Sequence, residues 1–271
     1  MMQEKIWFTT VIGIGNEGHR LMHEVQSRME CENSDEIIDY IDLELCHYWE
    51  LPLCSGMDER ELEHNCRDAP IIFLLADVSD ENLIKYAREI GKFVNIRSCV
   101  VSIVLLSGAD SRQINNVASQ LFPDVDAIVD LNECMVTGEF EPPDRAYNII
   151  RGLNGLMAKP GLIGLDAIDL TGQLRKAGLL QVGFGNVGTD HDDEAMATAT
   201  KDALSQIKCA NVKRIVLYLE GKIDAFSMID ICSSEKTVEK AIPDDAMILC
   251  GATASESTGD KVRALIVASD L

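Results

Sequence analysis

The sequence predicts an α/β protein, with a Rossmann-like parallel sheet in its first part, a central helix, and a smaller α/β domain of mixed sheet in its second. Three observations predict it. Short apolar, β-branched runs alternate with amphipathic helical patterns from residue 6 to residue 157, the rhythm of a parallel sheet covered by helices on both faces. That rhythm changes after Pro160, where strands and helices follow in a different order. The chain has 271 residues, 46% of them hydrophobic, enough to fill one large core or two ordinary ones. The boundary is expected at Lys159-Pro160, which gives domains 1–158 and 159–271.

The first run, 6–14 (IWFTTVIGI), reads as a buried parallel strand ending in glycines. Gly15-Asn16-Glu17-Gly18 then turns into a helix with Leu21, Met22, Val25 and Met29 on one face. A second strand is expected over 36–43, and 46–68 reads as mixed loop with a helical piece at 59–64. Residues 69–76 (APIIFLLA) predict a third strand, 81–93 an amphipathic helix, and 98–106 (SCVVSIVLL) a fourth strand. A helix over 112–121, a short strand over 127–131 and a helix over 144–157 complete the first part. In the second, helices are expected over 165–176, 190–206 and 229–240, with strands over 179–185, 214–220, 246–253 and 261–268. No tandem repeat, low-complexity segment or flexible linker interrupts them.

Charge narrows the partners. There are 24 basic and 45 acidic residues, a net charge of −21, and such a surface repels nucleic acid and anionic lipid. Neither nucleic-acid binding nor direct membrane binding is expected. Nine cysteines, scattered and never spaced C-x-x-C, fit reduced thiols better than a disulfide frame or a zinc site. The N-terminus lacks the basic-then-apolar pattern of an export signal, and no run of about 18 apolar residues occurs. The expectation is a cytoplasmic protein, prokaryotic in style.

Two stretches invite chemistry. Gly13, Gly15 and Gly18 form a G-x-G-x-x-G after a strand, with Asp39 or Asp42 at a fair distance for a ribose contact, so a dinucleotide site is formally open. The same pattern recurs at Gly183, Gly185 and Gly188, and a tight strand-to-helix turn explains it more plainly. The other stretch is 160–169 (PGLIGLDAID), where Asp166 and Asp169 stand three apart in an otherwise apolar loop. Two carboxylates there are costly to bury unless something pairs or uses them. They read equally as caps on a helix start or as groups acting at an interface. His19 and His23, four apart, lack an evident third ligand, and Asp190, Asp192, Asp193 and Glu194 read as an acidic helix start.

The stretch 160–169, followed by Leu174, Gly178, Gly183, Gly185, Gly188 and the acidic start at 192–195, resembles the FtsZ/tubulin superfamily, whose loop runs P-G-L-I-N-x-D-F-x-D. Asp166 and Asp169 match both family acids, whereas Gly164 and Ala167 replace the asparagine and the phenylalanine. Residues 11–15 resemble the family's opening strand and first nucleotide loop, 125–129 the strand before its central helix, and 262–268 the last strand of its C-terminal domain. The resemblance implies head-to-tail filaments in which the acidic loop of one subunit reaches the γ-phosphate of GTP held by the next. Asp166 and Asp169 would then be catalytic acids acting in trans. It also implies that the globular core ends near Leu271 with no trailing linker.

The nucleotide side departs from the family. Its glycine-threonine phosphate loop, G-G-G-T-G-[ST]-G, falls at 76–82, which here reads Ala-Asp-Val-Ser-Asp-Glu-Asn. Three acids stand where free N–H groups would cradle phosphate. In the first loop, Glu17 adds charge, and Arg20 takes the place of the guanine-reading asparagine. The segment before Pro160 is about one helical turn shorter than the family's central helix. The resulting expectation is a degenerate nucleotide site formed by Gly13, Gly15, Gly18, Arg20, Asp77 and Ser79, with no cofactor, no metal and no GTPase activity of its own. The partner would be the chain itself or a true FtsZ. Two alternatives stay open: a GTP-binding polymerising GTPase with an atypical phosphate loop, and a dinucleotide or small-molecule enzyme.

Overall fold

The computed structural model describes residues 9–35, 46–50, 59–66, 69–78, 81–97, 99–108, 111–132, 141–159, 161–189, 194–224 and 227–271. The chain divides into two compact units. One takes the described residues up to Glu30, those from 46 to Ile150, and Leu174–Leu179; the other takes residues 31–35, Arg151–Gln173 and Leu180–Leu271.

The first unit holds strands β1 (Thr9–Ile14), β2 (Cys46–Glu50), β3 (Ile71–Asp77), β4 (Val101–Ser107) and β5 (Ala127–Asp130), all parallel, in the order β2-β1-β3-β4-β5. Strands β1 and β4 are buried at every position and β3 at all but its last, which is why they read as unbroken apolar runs. Helices α1 (Gly15–Asp35), α2 (Glu59–Asn65), α3 (Glu81–Asn95) and α4 (Ser111–Leu121) connect them. Leu83, Ile84, Ala87, Ile90 and Val94 of α3 recur at helical spacing and pack into one core cluster with Ile12, Leu74, Val104 and Ile128. Asp126 ties the far end of the sheet: its carboxylate accepts the Ser102 N–H at 3.0 Å and the Lys176 N–H at 3.2 Å.

Helix α5 (Pro142–Ala158) leads into the second unit. That unit holds β6 (Gly161–Ile163), α6 (Ala167–Leu174), β7 (Gly178–Gly188), α7 (Ala195–Leu204), β8 (Arg214–Gly221), α8 (Met228–Glu239), β9 (Met247–Ala254) and β10 (Lys261–Ser269). Its sheet runs β7-β10-β8-β9-β6 and is mixed: β8 and β9 are parallel, and the other pairs antiparallel. A side chain at Gly183 or Gly185 would overlap the Ala203 or Ala199 carbonyl, so this second glycine run is a groove for α7. At Phe184 the side chain of Gln206 donates to the carbonyl at 2.7 Å and accepts the N–H at 3.3 Å.

The expected elements appear with shifted bounds. The helix predicted over 165–176 is shorter at both ends, because Asp166 caps it and Lys176 adopts a positive φ just past it. The helix predicted from 190 begins at Ala195, with 190–193 outside the described residues. The strand predicted over 36–43 lies outside the described residues, and β2 forms at Cys46–Glu50, which read as loop. Strand β6 also read as loop, being only three residues long.

Candidate functional site

The glycine turn between β1 and α1 is filled by protein. Gly15 has φ +73, a conformation that favours glycine, and the Leu83 Cδ1 stands 2.7 Å from where its Cβ would be. A side chain at Gly18 would overlap the Leu75 carbonyl oxygen, so this glycine lets α1 close on β3. At Gly13 a Cβ would meet the Gly18 carbonyl oxygen at 2.9 Å and the His19 Cα at 3.0 Å. All three glycines of the motif thus have packing reasons. The second is the one that a dinucleotide would approach, and an apolar side chain already occupies that space.

Arg20 is committed to its own helix. Its Nε and Nη2 donate to the two Glu17 oxygens at 2.8 and 2.6 Å, and its Nη1 pairs with Glu24. The hydrogen bond from Arg20 holds the Glu17 carboxyl below its ordinary range, and Glu17 in turn raises Arg20. A guanidinium forked onto one carboxylate and touching a second has little left for an anion or a base. His19 Nε2 is buried without a hydrogen-bond partner beside this turn.

Asp77 ends β3, half-buried, and its Oδ1 lies 2.5 Å from where a Gly108 Cβ would stand; Gly108 has φ +85 and thereby makes room for the carboxylate. The Val78 N–H donates to the Ser107 carbonyl, so it does not face an open anion cradle. Ser79 and Asp80 lie outside the described residues, as do Asp39, Asp42 and the acids at 190, 192 and 193. The structure therefore brings Gly13, Gly15, Gly18 and Arg20 together where β1 passes into α1, and places Asp77 at the end of β3, in register with Ser107 of the adjacent β4 and beside Gly108.

The acidic turn is built differently. Asp166 Oδ1 accepts the Asp169 N–H at 2.8 Å, and the Asp166 carbonyl accepts the Leu170 N–H, the pattern of an N-cap on α6. Asp169 sits in the first helical turn, where a carboxylate is favoured. Both acids are exposed, as are Leu162 and Ile168. Around them the backbone is held: Gly161 and Ile163 pair with Thr253 and Ala252 of β9, the Leu165 side chain lies with Leu156 against Gly251, and Leu170 and Leu174 are buried.

Next to this turn in the same unit lies a polar network that sequence reasoning missed. Glu220, at the end of β8, is fully buried. Arg151 forks onto it, with Nη2 donating to Oε1 at 2.7 Å and Nη1 to Oε2; Lys159 Nζ reaches Oε1 at 3.4 Å, and Arg263 lies 3.7 Å from Oε2. Lys159 also donates to Ser255 Oγ at 3.1 Å, and Ser255 bonds Ser257 at 2.8 Å. Burial alone would raise the Glu220 pKa, but Arg151, Lys159 and Arg263 together hold it below its ordinary value. Burial beside this carboxylate pushes the Tyr218 phenol well up, and its hydroxyl bonds Thr253 Oγ1 at 2.7 Å. The one legible signal was an acid closing an apolar strand run, RIVLYLEG.

Among the described residues, no group of three or more His, Cys, Asp or Glu side chains is placed to hold a metal ion. Burial pushes the thiols of Cys66 and Cys250 up to about 12, far from a nucleophile's range. No helix among the described residues is long and apolar enough to cross a membrane.

No family model matches the chain. The cell division protein FtsZ of Magnetospirillum gryphiswaldense is 25% identical over 130 residues, 47% of this chain and 23% of that protein. FtsZ of Wolbachia pipientis is 26% identical over 137 residues, 49% of this chain and 42% of that protein. The matched stretch thus spans less than half the length of either relative. Among solved structures, an empty FtsZ dimer of M. jannaschii aligns with a TM-score of 0.72 at 17% identity, over 99% of this chain and 89% of that one. CetZ2 of Haloferax volcanii, solved as a GTPγS-bound protofilament, aligns at 0.67 and 15% identity, over 96% and 92%.

Proposed function

We propose, for a chain whose fold is that of the FtsZ/tubulin superfamily and whose sequence matches support a divergent member of it, a filament subunit or filament modulator that lends an acidic turn to a partner and hydrolyses no GTP of its own. One observation carries this reading. Asp166 and Asp169 are exposed on a turn fixed by a helix cap, a strand pairing and a packed leucine, whereas the glycine turn that would receive a nucleotide is occupied by Leu83. A backbone held in place before any ligand arrives lowers the ordering cost when its carboxylates meet one. The partner would be a second copy of this chain or a true FtsZ, in keeping with the dimer and protofilament seen for similar structures. With a true FtsZ as partner, the two carboxylates would orient water and any metal at that partner's γ-phosphate; with a second copy of this chain, the same turn would serve as a longitudinal contact.

Two measurements test it. Calorimetry with GTP and GDP in magnesium, on protein freed of copurified nucleotide, is expected to give no binding at millimolar nucleotide. Saturable binding would instead restore the polymerising GTPase with an unusual phosphate loop. GTP turnover by an FtsZ is expected to change when this chain is added, and the change is expected to vanish with Asp166→Asn and Asp169→Asn together. Unaltered assembly and turnover would sink the modulator reading.

A further inference from the structure

The Glu220 network contains more cations than one carboxylate needs. The Arg151 fork alone is a bidentate ion pair. Lys159 is therefore an added contact, and its position in the chain is what distinguishes it. Residue 159 follows the last residue of α5 and precedes β6 by two positions, so it opens the segment that carries the two acids. Its Nζ contacts Glu220 at the end of β8 and Ser255 just beyond β9. Strand β6 pairs its backbone to Thr253 and Ala252, the same end of β9. Side chain and backbone thus fasten the start of the turn to one place.

A three-residue strand at the edge of a sheet is a weak hold by itself, and helix ends fray. Fixing residue 159 through a largely desolvated ammonium makes the end of α5 a defined point from which 161–169 departs. We propose that Lys159, acting through Glu220 and Ser255, is a positioning residue for the acidic turn and sets where the Asp166 and Asp169 carboxylates stand. The proposal rests on the reading that those carboxylates act on a partner's nucleotide.

The test compares Lys159→Met, which keeps the stem and removes the charge, with Lys159→Arg, which keeps the charge. Lys213→Met, in an exposed pair with Asp245, serves as a control. Amide exchange followed residue by residue in the free chain is expected to rise at least about tenfold across 161–169 in Lys159→Met, including at the capped Asp169 N–H. It is expected to return toward wild type in Lys159→Arg and to stay unchanged in the control, with β10 amides unaffected throughout. Unchanged exchange in 161–169 overturns the proposal. Equal acceleration in β10 also overturns it, since that is the mark of a purely structural lysine. The second readout is the chain's effect on FtsZ GTP turnover, expected to weaken in Lys159→Met and recover in Lys159→Arg. Faster exchange with an intact effect on turnover would again overturn positioning. A wild-type chain with no effect on FtsZ sinks the functional reading separately, before any variant is made.

Discussion

The glycine turn after β1 and the acidic turn after α5 match two halves of one nucleotide-handling resemblance, and they have reached opposite states. In the first, the position a Cβ would take at each glycine is already met by Leu83, by the Leu75 carbonyl, or by Gly18 and His19, and the nearby cation is spent on Glu17 and Glu24. In the second, the backbone is fastened on all sides and the carboxylates are left in solvent. The difference teaches that a glycine only makes room; the neighbour that occupies the room decides its use. Gly183 and Gly185 repeat the lesson, since the same spacing there seats a helix.

That contrast can be broken most forcefully at the support of the acidic turn. Glu220→Ala leaves three cations facing a buried void and is expected to destabilise the chain by about 3–5 kcal/mol in urea unfolding. The wild-type pH profile carries a matching sign. Because the folded pKa of Glu220 is depressed below 4.5, its contribution is present above that pH and is lost as pH falls through the lower, folded value. A stability curve flat through that acid window would contradict the ionised assignment.

Next in size, Gly18→Val forces a side chain into the Leu75 carbonyl and is expected to cost about 3 kcal/mol, measured without any nucleotide present. A tolerated valine would mean that the glycine turn has slack and could admit a ligand. Leu83→Ala empties the space beside Gly15, with an expected loss of about 2–3 kcal/mol and no gain of GTP binding by calorimetry. GTP binding gained in this variant would make the leucine a plug over a site that is otherwise intact.

The smallest effects sharpen the other side. Asp166→Ala removes a helix cap and is expected to cost about 1 kcal/mol, whereas Asp166→Asn keeps the cap within about 0.5 kcal/mol. If the asparagine variant keeps its stability and loses its effect on FtsZ turnover, capping and charge are separate duties of one residue.

Much of this was legible in the residues. Strands β1, β3 and β4 announced themselves because burial on both faces leaves no polar alternation to confuse with a helix. Asp166 and Asp169 read equally as caps on a helix start or as groups at an interface, and the structure shows Asp166 as the cap because a cap and its receiving N–H are three residues apart by geometry. Strand β2, with His47, Tyr48 and Glu50 among its five residues, carried no such run, and β6 was too short to carry any pattern. The Glu220 network was illegible for another reason: Arg151, Lys159 and Arg263 lie 69, 61 and 43 positions away along the chain, and only the folded sheet gathers them. Leu83 was equally hidden, since its reading as an ordinary α3 core residue says nothing of the glycine it covers.

Gln206 carries a consequence of a different kind. Its amide meets both polar groups of Phe184 as a neighbouring strand would, with one donor and one acceptor. A stretch of strand that finds its complement within its own chain offers no template there to a stray one, which is how edge strands avoid sticking to each other. Gln206 is in that sense a decoy held against this stretch of β7. Removing it with Gln206→Ala would be felt less in folding than in the solubility of concentrated protein.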